Sequence, residues 1–207
     1  MNGYQDREHA GDVLAEELRP FQRHPDVTVL GLARGGVPVA ARVARRLGVP
    51  LDVLVVRKLG VPWAPEVAFG ALGAGGVQVL NPEVADQVDG RDKAAVVVAE
   101  SAELERRQRV YRAGRPPLDL TGRTVILVDD GLATGATAGA AVAVARRLGA
   151  ARVVLAVPVG AADSLRRLAR VTDGVYCPMV PARFVAVSRF YRNFGQVSTA
   201  EVAELLR

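Results

Sequence analysis

Apolar residues in this chain fall into short runs separated by longer, mixed segments. VTVLGLA (27–33) is a β-rich apolar run, bounded by Pro25 and by the glycines after Arg34. It predicts a buried strand. LDVLVVR (51–57), TVILVDD (124–130), RVVLAVPVG (152–160) and GVYCP (174–178) predict four more. Helical patterning fills the gaps. A first helix is expected over 7–23 with Asp6 as N-cap, and a second over 37–48, with Pro38 in its first turn and Gly48 closing it. A long amphipathic helix is expected over 92–112, stopped by Arg115-Pro-Pro117, and shorter ones over 136–148 and 162–171. KLGVPWAPE (58–66), with two prolines and a glycine, predicts a loop. Residues 67–80 predict a hairpin turning at Gly75-Gly76. The tail, 182–207, carries Phe184, Phe190, Tyr191 and Phe194, then a short helix in TAEVAELLR.

Strands alternating with helices imply a doubly wound, mostly parallel α/β sheet. A length of 207 residues suits one such domain with a small appendage. We expect a core over 1–178 and a small C-terminal segment over 179–207. Half the residues are hydrophobic but only 5 % are aromatic, so Val, Ala and Leu must build the core. The single cysteine, Cys177, excludes an internal disulfide and fits a reducing compartment; it reads as a small buried apolar residue. The polar N-terminus has no signal-peptide core, and no uninterrupted apolar stretch reaches the roughly 18 residues of a membrane helix. A cytoplasmic protein with no membrane partner is expected. The net charge of +5 comes mostly from arginines scattered over the predicted helices. That pattern reads as solvated faces, so nucleic-acid binding is not expected.

The segment VILVDDGLATGAT (125–137) carries the chemistry. Ligands of open parallel sheets bind beyond the carboxyl ends of the strands. Here a strand ends on Asp129 and Asp130, and a small-residue loop leads into a helix. Backbone N–H groups and the helix N-terminus suit an anion, and Thr134 and Thr137 add hydroxyl donors. Two aspartates would repel that anion unless they face another part of the same ligand. Carboxylates are pure acceptors, so the pair suits a vicinal diol. A phosphate with a diol a few ångströms away describes a ribose 5-phosphate. The loop is not a P-loop, since no Gly-Lys-Ser/Thr follows. The glycines of 70–76 sit in a predicted hairpin and not at a strand-to-helix turn, so they do not make a dinucleotide fingerprint.

The same segment resembles the phosphoribosyl pyrophosphate (PRPP) signature of the type I phosphoribosyltransferases. LGLARGGVPVAARVA (30–44), LDVLVVRKLG (51–60), RPPLDLTGRTVILVDDGLATGAT (115–137) and RFYRNFGQVSTAEV (189–202) extend the resemblance, to a bacterial subgroup without an assigned acceptor. The resemblance implies that Asp129 and Asp130 hold the ribose hydroxyls and that Ala133, Thr134, Gly135, Ala136 and Thr137 form the 5-phosphate loop. It implies that Arg34, Gly35 and Gly36 meet the pyrophosphate, with Arg57 and Lys58 at the same sheet edge. Catalytic roles then fall to Arg34, Lys58, Asp129 and Asp130. Residues 58–80 would form a lid over an oxocarbenium-like ribosyl cation, with Trp63 packed against the lid's base and Glu66 acting within it. Mg²⁺ would bind mainly to the substrate, with Asp129 and Asp130 assisting through water. His9 and His24 are expected on the surface. The tail 179–207 would be the hood that selects the acceptor. Phe184, Phe190 and Tyr191 would either stack a planar base or form the hood's own core.

The expected activity is a Mg²⁺-dependent transfer of phosphoribosyl from PRPP to a nitrogenous acceptor with release of pyrophosphate. Ala133 stands where relatives acting on hypoxanthine or guanine place an acidic residue, which points away from those bases. The alternative is a PRPP-binding regulator. Such relatives usually carry a DNA-binding module, whereas about one predicted helix precedes the first strand here, which favours the enzyme. Homodimers occur in the family and are compatible with the chain.

Overall fold

A computed structural model describes residues 3–207, without the side chains of Pro65 and Glu66. Glu66, considered above for the lid, therefore lies outside the described residues. The main sheet has five parallel strands: β1 (Val27–Leu32), β2 (Leu51–Leu54), β6 (Thr124–Val128), β7 (Arg152–Ala156) and β8 (Gly174–Tyr176). Their spatial order is β2-β1-β6-β7-β8. Successive side chains of a strand face opposite ways, and the apolar runs exploit this to bury both faces. Val27, Val29, Ile126, Val128, Val154 and Ala156 meet α1 (Arg7–Glu17) and α2 (Gly36–Leu47) on one side. Leu30, Leu32, Val125, Leu127, Val153 and Leu155 meet α5 (Ala136–Arg147) and Leu168 of α6 (Ala162–Leu168) on the other. The registers Val29↔Ile126↔Val154 and Leu30↔Leu127↔Leu155 keep each face in line. The predicted doubly wound parallel sheet is the observed fold.

Boundaries moved where proline or a change of sheet intervened. The first helix ends at Glu17 and not at 23, because Pro20 enters a short 3₁₀ turn over Arg19–Phe21. Its N-cap is Asp6, whose carboxylate accepts the His9 N–H at 2.9 Å. The α2 helix closes on Gly48 at φ 67°, a left-handed conformation that glycine adopts without strain. The strand expected over 152–160 stops at Ala156, ahead of Pro158, and that expected over 174–178 stops at Tyr176, ahead of Pro178. The sixth strand ends at Val128, so both aspartates lie just past it.

The largest revision concerns 51–80. The expected strand 51–57 is two pieces: β2 ends at Leu54, and Arg57 opens a second sheet. That sheet is antiparallel, in the order β3 (Arg57–Val61), β4 (Ala64–Leu72), β5 (Gln78–Leu80). The expected loop 58–66 is therefore mostly strand, with a turn only at Pro62-Trp63, and Gly60 sits at a register irregularity. An uninterrupted apolar run does not say which sheet each half joins. Gly75 and Gly76 do form the β4–β5 turn, both at positive φ. Two helices cover this region: α3 (Pro82–Ala85), which periodicity does not predict, and α4 (Gly90–Tyr111). Val55, Leu59, Val61, Phe69 and Leu104 form its core.

The two ends of the chain meet. Tyr4 and Tyr191 form a bridge, and Tyr4 N–H donates to Phe190 O at 2.7 Å. Tyr4, Ala10, Val159, Met179 and Tyr191 share a small core. The last helix, α7 (Thr199–Leu205), packs Val202 into the core around α4. Among the described residues, no helix is long and apolar enough to cross a membrane.

Candidate functional site

Beyond Val128 the chain turns through Asp129 and Asp130, and each carboxylate has one oxygen already engaged. Asp129 Oδ1 accepts the Asp130 N–H at 2.9 Å. Asp130 Oδ2 accepts from Arg7 Nε at 2.9 Å and lies 2.8 Å from a second nitrogen of the same guanidinium. Asp129 Oδ2 and Asp130 Oδ1 receive no hydrogen bond from the described residues. Each carboxylate thus keeps one acceptor that could take a hydroxyl. Burial and the Asp130 charge raise the Asp129 pKa well above the usual carboxylate range. Burial also raises that of Asp130, against the opposing effect of Arg7.

The pair separates two cavities. On one side, a cavity of about 160 Å³ is lined by Asp129, residues 131–138 and Val187. Leu132 anchors its loop, donating N–H to Val159 O and accepting from Ala161 N–H. Gly135 sits at φ 77° and leads directly into α5. The N–H groups of Ala133, Thr134, Gly135, Thr137 and Ala138 find no acceptor among the described residues. Ala136 N–H reaches only Thr134 Oγ1, at 3.4 Å. The expected phosphate loop is thus a set of unpaired amides at a helix N-terminus.

On the other side, a cavity of about 480 Å³ is lined by Arg7, Arg34, Gly35, Asp130, Phe194 and residues 195–197. The Ala33–Arg34 peptide is cis. Gly35 and Gly36 press directly on the aspartates: a Cβ on Gly35 would collide with the Asp130 carboxylate, and one on Gly36 with Val128 O and Asp129 Cα. Side-chain-free residues are what allow the loop after β1 to lie against the loop after β6. A larger cavity of about 610 Å³ lies behind Arg7 and residues 195–197, next to α2 and α7. It shares that wall but includes neither the acid pair nor the amide loop.

The structure thus brings Arg34, Gly35, Gly36, Asp129, Asp130 and 133–137 to one sheet edge. Arg57 and Lys58 belong to the second sheet and line neither of the two cavities beside the acid pair. Arg57 donates to Glu100 of α4 at 2.5 Å. Phe184 and Phe190 stack on each other with centroids 5.6 Å apart. Tyr191 is buried, and its hydroxyl donates to Asp130 O at 2.6 Å; burial pushes its pKa up. The aromatic ring that does line the larger of the two cavities beside the acid pair is Phe194. Trp63 corrects an expectation: it is 64 % exposed at the β3–β4 turn and not packed at the base of the hairpin. His9 and His24 are exposed as expected. Cys177 is half-buried with its thiol pKa raised to about 11 by burial.

Arg7 escaped sequence reasoning. It holds Asp130, donates to Gly195 O at 2.7 Å and stacks over the Phe194 ring at 3.9 Å. A cation in the first turn of a helix opposes the helix dipole. That mismatch is the one local hint that Arg7 has a partner elsewhere.

The sequence and the fold have counterparts among known proteins. Residues 5–177 match the family model described as "Phosphoribosyl transferase domain". Two relatives from Mycobacterium tuberculosis, MT0597 and Rv0571c, carry provisional phosphoribosyl transferase names; each is 51 % identical over 208 residues. All of this chain is covered but 47 % of theirs, so the chain spans about half the length of the curated relatives it matches. Among solved structures, TT1426 from Thermus thermophilus superposes with a TM-score of 0.90 at 44 % identity, covering 99 % of this chain and 97 % of its own. With the fold, the sheet-edge acid pair and a family match running from Gln5 to Cys177, this chain belongs to the phosphoribosyl transferase domain family.

Proposed function

We propose that this protein binds PRPP and transfers its phosphoribosyl group to a nitrogenous acceptor, a purine, pyrimidine or related base. The observation that carries this reading is the division of labour across the acid pair: unpaired amides on one side, an arginine-and-glycine loop on the other. The 5-phosphate sits on the amides of 133–138 and the ribose hydroxyls donate to Asp129 Oδ2 and Asp130 Oδ1. The pyrophosphate lies along residues 33–36 beside Arg34, and Arg7 adds a second cation to that cavity. The acceptor enters between this loop and residues 194–197.

In the transfer, the bond from the anomeric carbon to pyrophosphate breaks and a bond to the acceptor nitrogen forms; the acceptor loses a proton. Positive charge develops on the ribose ring and negative charge on the leaving group. Arg34 stabilises the leaving group, and the two carboxylates stabilise the electron-poor ring through its hydroxyls. Among the described residues no cluster of three or more His, Cys, Asp or Glu could cage a metal. That suits Mg²⁺ arriving on the pyrophosphate, with Asp129 and Asp130 as the carboxylates able to assist through water. When bound, the ion would neutralise leaving-group charge. A single cysteine fits a cytoplasmic setting.

The test is phosphorus NMR of Mg²⁺-PRPP with a panel of purines, pyrimidines and other nitrogen acceptors. Pyrophosphate release with a phosphoribosylated product is expected and names the acceptor. Tight PRPP binding without release across the panel would overturn the transferase reading in favour of a PRPP-binding regulator.

A further inference from the structure

An anion cradle made of backbone amides works only if its peptide planes are turned the right way. Residues as small as Ala133 and Gly135 do not fix that orientation themselves. Two residues of α6 do. Ser164 Oγ donates to Ala133 O at 2.6 Å, and the Arg167 guanidinium donates to Thr134 O at 2.7 Å. In a trans peptide the carbonyl of one residue and the N–H of the next point to opposite sides. Holding Ala133 O toward α6 therefore turns Thr134 N–H away from it, and holding Thr134 O does the same for Gly135 N–H. Away from α6 lies the cavity of about 160 Å³, whose lining contains no residue of that helix.

The brace is a connected chain. Arg167 also donates to Ser164 Oγ at 3.1 Å, leaving the hydroxyl proton committed to Ala133 O. Ser164 is 4 % exposed, and a hydroxyl buried to that degree is costly unless bonded. Packing alone would be met by alanine. Leu168, one turn on, fills the space beside Gly135 and keeps the helix seated on the loop. Arg167 itself is exposed and forms no ion pair with the described residues, so its charge stays unneutralised beside the loop.

We propose that Ser164 and Arg167 are positioning residues that aim the Thr134 and Gly135 amides at the phosphomonoester end of the substrate. The proposal rests on the reading of residues 133–138 as the 5-phosphate site. It separates the ligand's two ends: loss of the brace harms a sugar phosphate and spares a pyrophosphate held across the acid pair. A merely structural role would harm both.

The experiment is calorimetric titration of the wild type, Ser164→Ala, Arg167→Ala and Arg167→Lys with two probes, ribose 5-phosphate and Mg²⁺-pyrophosphate. Each alanine variant should lose about tenfold in ribose 5-phosphate affinity, the scale of one hydrogen bond to the loop. Affinity for Mg²⁺-pyrophosphate should stay within about twofold, and Arg167→Lys should recover part of the loss, since an ammonium can still donate to Thr134 O. Unchanged ribose 5-phosphate affinity in both alanine variants, or equal losses for both probes, would overturn the brace while leaving the phosphate site intact. A wild type that binds pyrophosphate but no ribose 5-phosphate would remove the phosphate site, and the brace with it.

Discussion

The two sides of the Asp129–Asp130 pair are built differently. The amide side comes almost wholly from one stretch, Asp129 and 131–138, with Val187 the single wall residue from elsewhere, and uses backbone groups. The opposite cavity takes its walls from four separated places: Arg7, Arg34 with Gly35, Asp130, and residues 194–197. A site made of backbone demands small residues in sequence and little else. A site assembled from distant side chains can change its walls without disturbing the sheet. Under the proposed function, the amide side would then be the part shared with other proteins that bind the same sugar phosphate, and the opposite side the part free to vary with the acceptor.

The comparison breaks most completely at the pair itself. Asp129→Asn with Asp130→Asn should lower PRPP affinity at least about a hundredfold by calorimetry, since two hydrogen bonds to charged acceptors are weakened together. The fold should persist, because Asn can still accept at Oδ1. Arg7→Met should come next, with about tenfold weaker Mg²⁺-PRPP binding from an unpaired, largely buried Asp130. Arg7 lowers the Asp130 pKa, so its loss should also move the pH midpoint of PRPP binding upward. A binding profile with an unmoved midpoint would deny Arg7 that role.

Stability should move the other way from function. The folded pKa of Asp129 lies above the ordinary aspartate value, so the folded state holds its proton to higher pH. Its effect on stability is least harmful at low pH, worsens as pH rises through the folded value, and persists at neutrality. Asp129→Asn should thus raise the melting temperature by a few degrees at pH 7, with the gain shrinking toward pH 4. The smallest effect is expected in the C-terminal segment. Tyr191→Phe removes one hydrogen bond to Asp130 O and should cost about 1 kcal/mol in denaturant unfolding.

The same contrast explains what was legible in the sequence. The amide loop announced itself because its chemistry and its fold lie in one continuous run, 125–137. The parallel sheet was readable because its central strands, β1, β6 and β7, are apolar on both faces. The split at 54–57 was not, since an apolar run fits either one strand or two. Arg7 was beyond reach for a different reason. Its partners, Asp130 and Gly195, are 123 and 188 residues away, and the folded contacts around Tyr4 and Tyr191 bring the ends together. Phe184, Phe190 and Tyr191 look alike in the sequence, as aromatics of a tail. The fold stacks the two phenylalanines on each other, bonds Tyr191 to Asp130 O and hands the cavity wall to Phe194.

The most direct test of the central claim is amide NMR during titration with ribose 5-phosphate. The account predicts that the largest shifts fall on Thr134, Gly135, Thr137 and Ala138, with smaller ones at Asp129 and Asp130. Shifts concentrated elsewhere, or none in 133–138 at saturating ligand, would contradict the assignment of this edge as the phosphoribosyl site.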